Sequence, residues 1–213
     1  MRALIFANGA ASDPGLVRHW VAQADLIIAA DGGTRHALSV SVMPHVVIGD
    51  LDSLDEADRA QLDRSGVQLI VHPTHKDCTD LELALRYARE RGATEIVIFS
   101  ALGGRWDQAL GNLMLLTLPE LAQVSTRVVD RHLSISVVRD RTEIVGRVGD
   151  TLSLLALQGD AQGVTLEGCE YPLNEARLPF GATLGISNVL TQSIAKITVK
   201  QGLILALHLG REE

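Results

Sequence analysis

Asp50 and Asp52 stand one residue apart in His45-Val-Val-Ile-Gly-Asp-Leu-Asp-Ser53, directly after the apolar run Val46, Val47 and Ile48. The run reads as a buried strand that Gly49 ends. With the backbone still extended, side chains at positions i and i+2 point to one side, so both acids would face a common site. Two carboxylates at the carboxyl end of a buried strand suit a hard cation, because magnesium combines one or two carboxylates with substrate phosphates. Open α/β sheets also bind ligands in the crevice beyond those strand ends. Ser53 has a separate reading. Ser53-Leu-Asp-Glu56 forms a Ser-x-x-Glu capping box, which predicts that Ser53 heads a surface helix over 54–65.

Further strand ends carry complementary groups. Residues 26–30 read as a strand that terminates in Asp31-Gly32-Gly33, where paired glycines let backbone N–H groups approach a phosphate; the same tripeptide also makes an ordinary turn. Residues 67–71 form another strand running into His72-Pro-Thr-His-Lys-Asp-Cys-Thr-Asp-Leu-Glu82. There Thr79 and Glu82 make a second capping box, ahead of a helix with the apolar stripe Leu81, Ala84, Leu85 and Ala88. Asp77 and Asp80 flank the helix amino terminus, where its dipole favours acids, and Lys76 adds a cation for a phosphate. His72 and His75 read as solvated loop residues. After a strand over 95–101 comes Gly103-Gly-Arg-Trp-Asp107, in which the planar fork of Arg105 suits phosphate oxygens. The helix from about Asp107 to Leu118 carries Leu110, Leu113, Met114 and Thr117 at core spacing, with Gln108 and Asn112 on a polar face.

The elements that must position these groups follow from the pattern. Together with a first strand over 4–7 and a helix from Ser12-Asp-Pro-Gly to about Gln23, the first 120 or so residues alternate strand and helix. That predicts a parallel sheet covered by helices. From about Val128 the texture changes to short period-two runs, 132–138, 142–145, 151–157, 194–199 and 203–209, punctuated by glycines. These predict an antiparallel β-sandwich or roll. The expected organisation is therefore an α/β catalytic domain over residues 1–126 and a β-sandwich domain over 127–213.

Bulk properties narrow the chemistry. With 46% hydrophobic and 21% charged residues, the 213-residue chain reads as an ordinary globular protein. A net charge of -7 argues against a nucleic-acid partner. No apolar run approaches the roughly 20 residues of a membrane span, and the amino terminus lacks a signal-peptide core. Cys78 and Cys169 have no metal spacing, so a reducing cytoplasm is the expected compartment. Phosphate-loop and dinucleotide fingerprints are absent, as is a Gly-x-Ser-x-Gly nucleophile elbow. An acid-rich, magnesium-type site with Lys76, Arg105 and glycine turns remains, which suits phosphoryl or pyrophosphoryl transfer.

These motifs, Asp31-Gly-Gly, Gly49-Asp-Leu-Asp-Ser53, Lys76-Asp-Cys-Thr-Asp-Leu-Glu82 and Gly103-Gly-Arg-Trp-Asp107 with Asn112, resemble in order those of thiamin pyrophosphokinases. Gly168-Cys-Glu-Tyr-Pro-Leu173 and Gly181-Ala-Thr-Leu-Gly-Ile-Ser-Asn188 extend the resemblance over the β half. The resemblance implies transfer of the β,γ-pyrophosphoryl group of ATP to the thiamin hydroxyl, giving thiamin diphosphate and AMP, in a homodimer with active sites between subunits. By position, Asp50, Asp52 and Asp80 would hold Mg2+ and the transferring phosphates, with Asp77 nearby and Arg105 assisting catalysis. Asp31, Gly32, Lys76, Thr79, Arg105, Asp107, Gln108 and Asn112 would line the ATP side. Ser187 and Asn188 would help form the thiamin pocket, with Tyr171 where many relatives have Trp and still offering a face for a cation. The alternatives are a pyrophosphokinase for another small alcohol, such as a hydroxymethyl pterin, and a non-catalytic thiamin or nucleotide sensor.

Overall fold

The computed structural model describes residues 1–211, which divide into two compact units, Met1–Arg131 and a second beginning at His132. In the first, strands and helices alternate: β1 (Arg2–Phe6), α1 (Pro14–Val21), β2 (Leu26–Ala30), α2 (Gly33–Ser39), β3 (Val46–Gly49), α3 (Glu56–Arg64), β4 (Gln68–Val71), α4 (Asp80–Glu90), β5 (Glu95–Phe99), α5 (Trp106–Leu115) and β6 (Ser125–Asp130). The strands lie in the order β4-β3-β2-β1-β5-β6, and every neighbouring pair is parallel. Strand ends that are scattered in sequence therefore meet along one edge. After β4 the chain crosses to the far side of β1, which makes the gap between β1 and β5 the topological switch point where such sheets open a crevice.

Local signals explain most of these elements. Thr79 caps α4 by accepting the Glu82 N–H at 3.2 Å, and Leu81, Ala84, Leu85 and Ala88 are buried. That face packs on β1, β2 and β3; burying a leucine such as Leu85 contributes roughly 1.5–3 kcal/mol, so Leu85→Ala would loosen the layer most directly. Three expectations need correction. Asp55, not Ser53, caps α3, accepting the Asp58 N–H at 2.8 Å. A nearer acid competes for the helix start, and the Ser53 hydroxyl donates to Asp31 instead. A helix, α2, begins at Gly33 within Asp31-Gly-Gly, a segment to which the sequence pattern assigns no helix. On α5, Leu110 and Met114 are exposed, whereas Ala109 and Asn112 are buried, as is Leu116 at its carboxyl cap. Asn112 is turned inward because its Nδ2–H satisfies the Ala101 carbonyl just beyond β5, at 2.8 Å.

The second unit is antiparallel throughout: β7 (Leu133–Val138), β8 (Arg141–Val145), β9 (Thr151–Glu167), β10 (Leu173–Leu178), β11 (Asn188–Val189), β12 (Ile194–Thr198) and β13 (Gln201–Leu209). The run expected to stop at residue 157 continues as one 17-residue strand. β9 bends where Gln158 (φ 53°) and Gly159 (φ 101°) leave the extended region. Its first half pairs with β11 and with most of β13, and its second half with β10 and β12. The two layers thus share one strand. Leu152, Leu154, Val164, Leu166, Ile197 and Ile204 fill the core of this unit.

Candidate functional site

Parallel pairing of β2 and β3 sets Ala30 beside Ile48, so Asp31, next after Ala30, and Asp50, just past Gly49, emerge together. Asp31 is left-handed (φ 42°) and nearly buried, and its N–H donates to the Ile48 carbonyl at 2.9 Å. A Cβ on Gly49 would lie 2.8 Å from the Asp31 Cβ and 3.2 Å from Asp80 Cγ. Only glycine there lets the two acids approach the strand end.

Asp50 and Asp52 do converge, but not along an extended strand. Leu51 is left-handed (φ 60°) and its side chain is buried with Leu54 and Leu62. The chain therefore turns about Leu51, and the Asp52 N–H donates to Asp50 Oδ1 at 3.3 Å. That bond is the main reason Asp50 lies below the usual carboxylate range, with burial opposing it and Thr74 and Lys76 adding to it. Oxygens of Asp31, Asp50 and Asp52 all lie within 4.8 Å of one another. At an effective dielectric of about 20, charges that close repel by roughly 3 kcal/mol per pair, less where water screens Asp52. The hydrogen bond from Ser53 to Asp31 offsets about 1.5–3 kcal/mol of this, and Asp31 Oδ1 remains buried without a hydrogen-bond partner. Three converging carboxylates, one of which also carries an orphaned buried oxygen, match the hard-oxygen donor set of a divalent cation.

Beside these acids opens a cavity of about 820 Å³. The loop after β1 (Asn8, Gly9, Ala10), the ends of β2 and β3 (Asp31, Asp50), the loop after β4 (Thr74, Lys76, Cys78, Thr79, Asp80) and the loop after β5 with the start of α5 (Gly103, Gly104, Arg105, Gln108, Asn112) line it. Lys76 Nζ lies 3.0 Å from Asp80 Oδ1. Burial, helped by the nearby charges of Asp31 and Asp50, holds Asp80 above the usual carboxylate range despite that lysine. Burial also opposes the charge on Lys76, yet its bond to Asp80 keeps its pKa raised. Arg105 pairs with Asp107 at 2.5 Å on the rim, both well exposed.

The structure thus gathers Asp50, Asp80, Lys76, Thr79, Arg105, Gln108 and Asn112 around one crevice, with Asp52 beside Asp50 but outside the lining. It adds Asp31 to the carboxylate cluster, where the sequence had placed that residue on the nucleotide side. Gly32 backs the crevice, its Cα packed so closely on Asn8 that a Cβ would meet that side chain at 2.4 Å. Asp77 is exposed and lies outside the lining, as does Asp107. Sequence reasoning missed Asn8, Gly9, Ala10, Thr74 and Cys78. Asn8-Gly9 at the end of β1 repeated the strand-then-turn pattern of the other sites and was the available signal.

In the second unit, Asn188 is buried and its amide closes a two-way clamp on the Tyr171 backbone. It accepts the Tyr171 N–H at 3.0 Å and donates to the Tyr171 carbonyl at 2.7 Å. Tyr171 is held there and remains 65% exposed. Ser187, left-handed (φ 61°), donates its N–H to the Ser153 hydroxyl at 3.0 Å. All three expected residues are thus brought together, with Asn188 supporting Tyr171 rather than offering free polar atoms.

Comparison with known proteins separates the same two regions. Residues 17–129 match the family model of the thiamin pyrophosphokinase catalytic domain, and residues 134–204 match that of the thiamin pyrophosphokinase vitamin B1 binding domain. The chain is 32% identical over 185 residues to thiamine pyrophosphokinase of Bacillus subtilis, covering 86% of each. A crystal structure of the Bacillus subtilis thiamine pyrophosphokinase superimposes with a TM-score of 0.87 at 28% identity, covering 100% of both chains. That of the Geobacillus thermodenitrificans thiamin pyrophosphokinase gives 0.86, also at 28% identity, covering 100% of this chain and 99% of that one. With both domains matched in order, the chain belongs to the thiamin pyrophosphokinase family.

Proposed function

We propose that the protein transfers the β,γ-pyrophosphoryl group of ATP to the hydroxyl of thiamin, giving thiamin diphosphate and AMP. The observation that carries this reading is the convergence of Asp31, Asp50 and Asp52 beside a crevice of about 820 Å³ flanked by Lys76 and Arg105. Asp31, Asp50 and Asp52 would hold Mg2+, with Asp80 at their edge and Asp77 further out. When bound, the ion supplies charge neutralisation for the phosphates and the developing transition state. Lys76 and Arg105 would exchange their partners Asp80 and Asp107 for phosphate oxygens, while Gly32, Thr79, Gln108 and Asn112 shape the nucleotide side. In-line attack on the β-phosphorus through a loose transition state needs little help from a base, so the task of these residues is positioning. Thiamin recognition falls to the second unit, where the Tyr171 ring offers a face to the cationic thiazolium, beside Ser187 and Asn188. A homodimer with active sites between subunits and a cytoplasmic location belong to the same reading, through the family.

The test is to incubate the protein with thiamin, ATP and MgCl2 and identify both products. AMP with thiamin diphosphate is expected. ADP with thiamin monophosphate would overturn the pyrophosphoryl assignment.

A further inference from the structure

The loop that carries Asp50 and Asp52 holds a conformation that its left-handed backbone and its like charges oppose, although the Leu51 side chain is buried beneath it. A left-handed Leu51 costs roughly 1–2 kcal/mol, and the acids on either side of it repel each other and Asp31. Two arginines from different helices grip the carbonyls that flank Asp52. Arg59 of α3 donates Nη2–H to the Leu51 carbonyl at 2.5 Å, and Arg35 of α2 donates to the Ser53 carbonyl. Arg35 is itself tethered to Asp58 at 3.8 Å. Neither arginine lines the cavity.

We infer that Arg59 and Arg35 are positioning residues, which hold the Asp50–Ser53 backbone in its left-handed turn so that the carboxylates converge before a cation arrives. The choice of carbonyls over carboxylates is what makes this work. An arginine paired directly with Asp50 or Asp52 would occupy the oxygens that a cation needs. Gripping the backbone places positive charge behind the acids and leaves those oxygens open. A guanidinium suits the task because it stays charged and its planar fork donates in a fixed direction.

This inference rests on the reading of Asp31, Asp50 and Asp52 as the cation site, so its test uses metal binding by the folded protein without ATP or thiamin. Mn2+ titrations followed by electron paramagnetic resonance would compare wild type with Arg59→Met, Arg35→Met, Arg59→Lys and Asp50→Asn. Arg59→Met should weaken Mn2+ binding about tenfold or more, the usual range for groups that orient metal ligands. Arg59→Lys, which keeps one charged donor, should fall between it and wild type. The thiamin KM of the arginine variants should stay within about twofold of wild type, while their Mg2+ requirement rises with the loss of Mn2+ affinity. Wild-type Mn2+ affinity in folded Arg59→Met and Arg35→Met, alongside a loss in Asp50→Asn, would overturn the positioning role alone. Equal Mn2+ binding by wild type and Asp50→Asn would overturn the cation site itself and the inference with it. Should Arg59→Met fail to fold, Arg59→Lys with wild-type affinity would still overturn the role.

Discussion

The two units differ in how they treat a buried acid. In the second, Asp150 accepts from the Arg147 N–H at 2.8 Å, from His208 at 2.9 Å and from the Arg211 N–H at 3.2 Å, and the buried Asn188 spends its amide on the Tyr171 backbone. In the first, Asp31 keeps a buried oxygen without a partner, facing two more carboxylates. A saturated polar group fixes the chain, whereas an orphaned charge at a cavity mouth is stabilised only by what binds there. The comparison assigns reactive chemistry to the first unit and shape to the second, whose exposed Tyr171, Leu184 and Ile186 present ring and alkyl surface instead of charge.

The sharpest way to break that contrast is Asp50→Asn. Turnover with thiamin and ATP should fall about a hundredfold or more, a loss of roughly 3 kcal/mol in transition-state stabilisation. The melting temperature should hold or rise slightly, because the change relieves repulsion. Steady-state rates and thermal melts decide it, and a variant that is active, or unfolded, would remove Asp50 from its assigned role.

Asn188→Ala should do the reverse, lowering stability by about 1–3 kcal/mol because it strands both polar groups of the Tyr171 backbone. Its thiamin KM should rise alongside. Tyr171→Ala leaves those backbone bonds intact, so it should raise the thiamin KM severalfold, on the order of 1 kcal/mol as for an exposed cation–π contact, with little change in the ATP KM. Parallel effects on the two substrates would argue that the ring does not touch thiamin.

The smallest effect concerns acid. Burial opposes the charge on Asp150, but the N–H groups of Arg147 and Arg211 and the His208 ring outweigh it and hold the carboxyl below its ordinary value of 3.8. A depressed carboxylate contributes stability above its unfolded pKa and loses it as pH falls through the folded value. The melting temperature should therefore drop as pH falls below 3.8, and Asp150→Asn should flatten that limb. An equally steep limb in the variant would place the acid sensitivity elsewhere.

Much of the catalytic half was legible because its signals are local. The stripe Leu81, Ala84, Leu85 and Ala88 sits one helical turn apart, and the Thr79 cap lies three residues from its donor at Glu82, so neither needed tertiary information. The strand ends carrying Asp31, Asp50, Lys76 and Arg105 were readable for the same reason, as apolar runs broken by glycine and acid. Where local signals competed, sequence reasoning chose wrongly. Ser53 and Asp55 both cap well, and what removed Ser53 was Asp31, 22 residues away in the chain but adjacent in the sheet. Asn112 looked like a surface residue until the end of β5 supplied a carbonyl for it. The long β9 was hidden because Gly159 and Gly163 mark either a strand end or a bend, and only its partners β10, β12 and β13 distinguish the two.

By itself, the sequence determined the order of elements, the change from parallel α/β to antiparallel β, and the carboxylates beyond buried strands, since periodicity and short-range spacing encode all three. Tertiary structure alone decided how those carboxylates meet. Asp50 and Asp52 converge because the buried Leu51 side chain anchors a left-handed turn, and Asp31 joins them because parallel pairing sets β2 beside β3. A glycine without a side chain, Gly49, leaves room between them. Convergence of like charges is unfavourable along any local stretch of chain, so it appears only when the packed sheet and the residues behind the loop impose it.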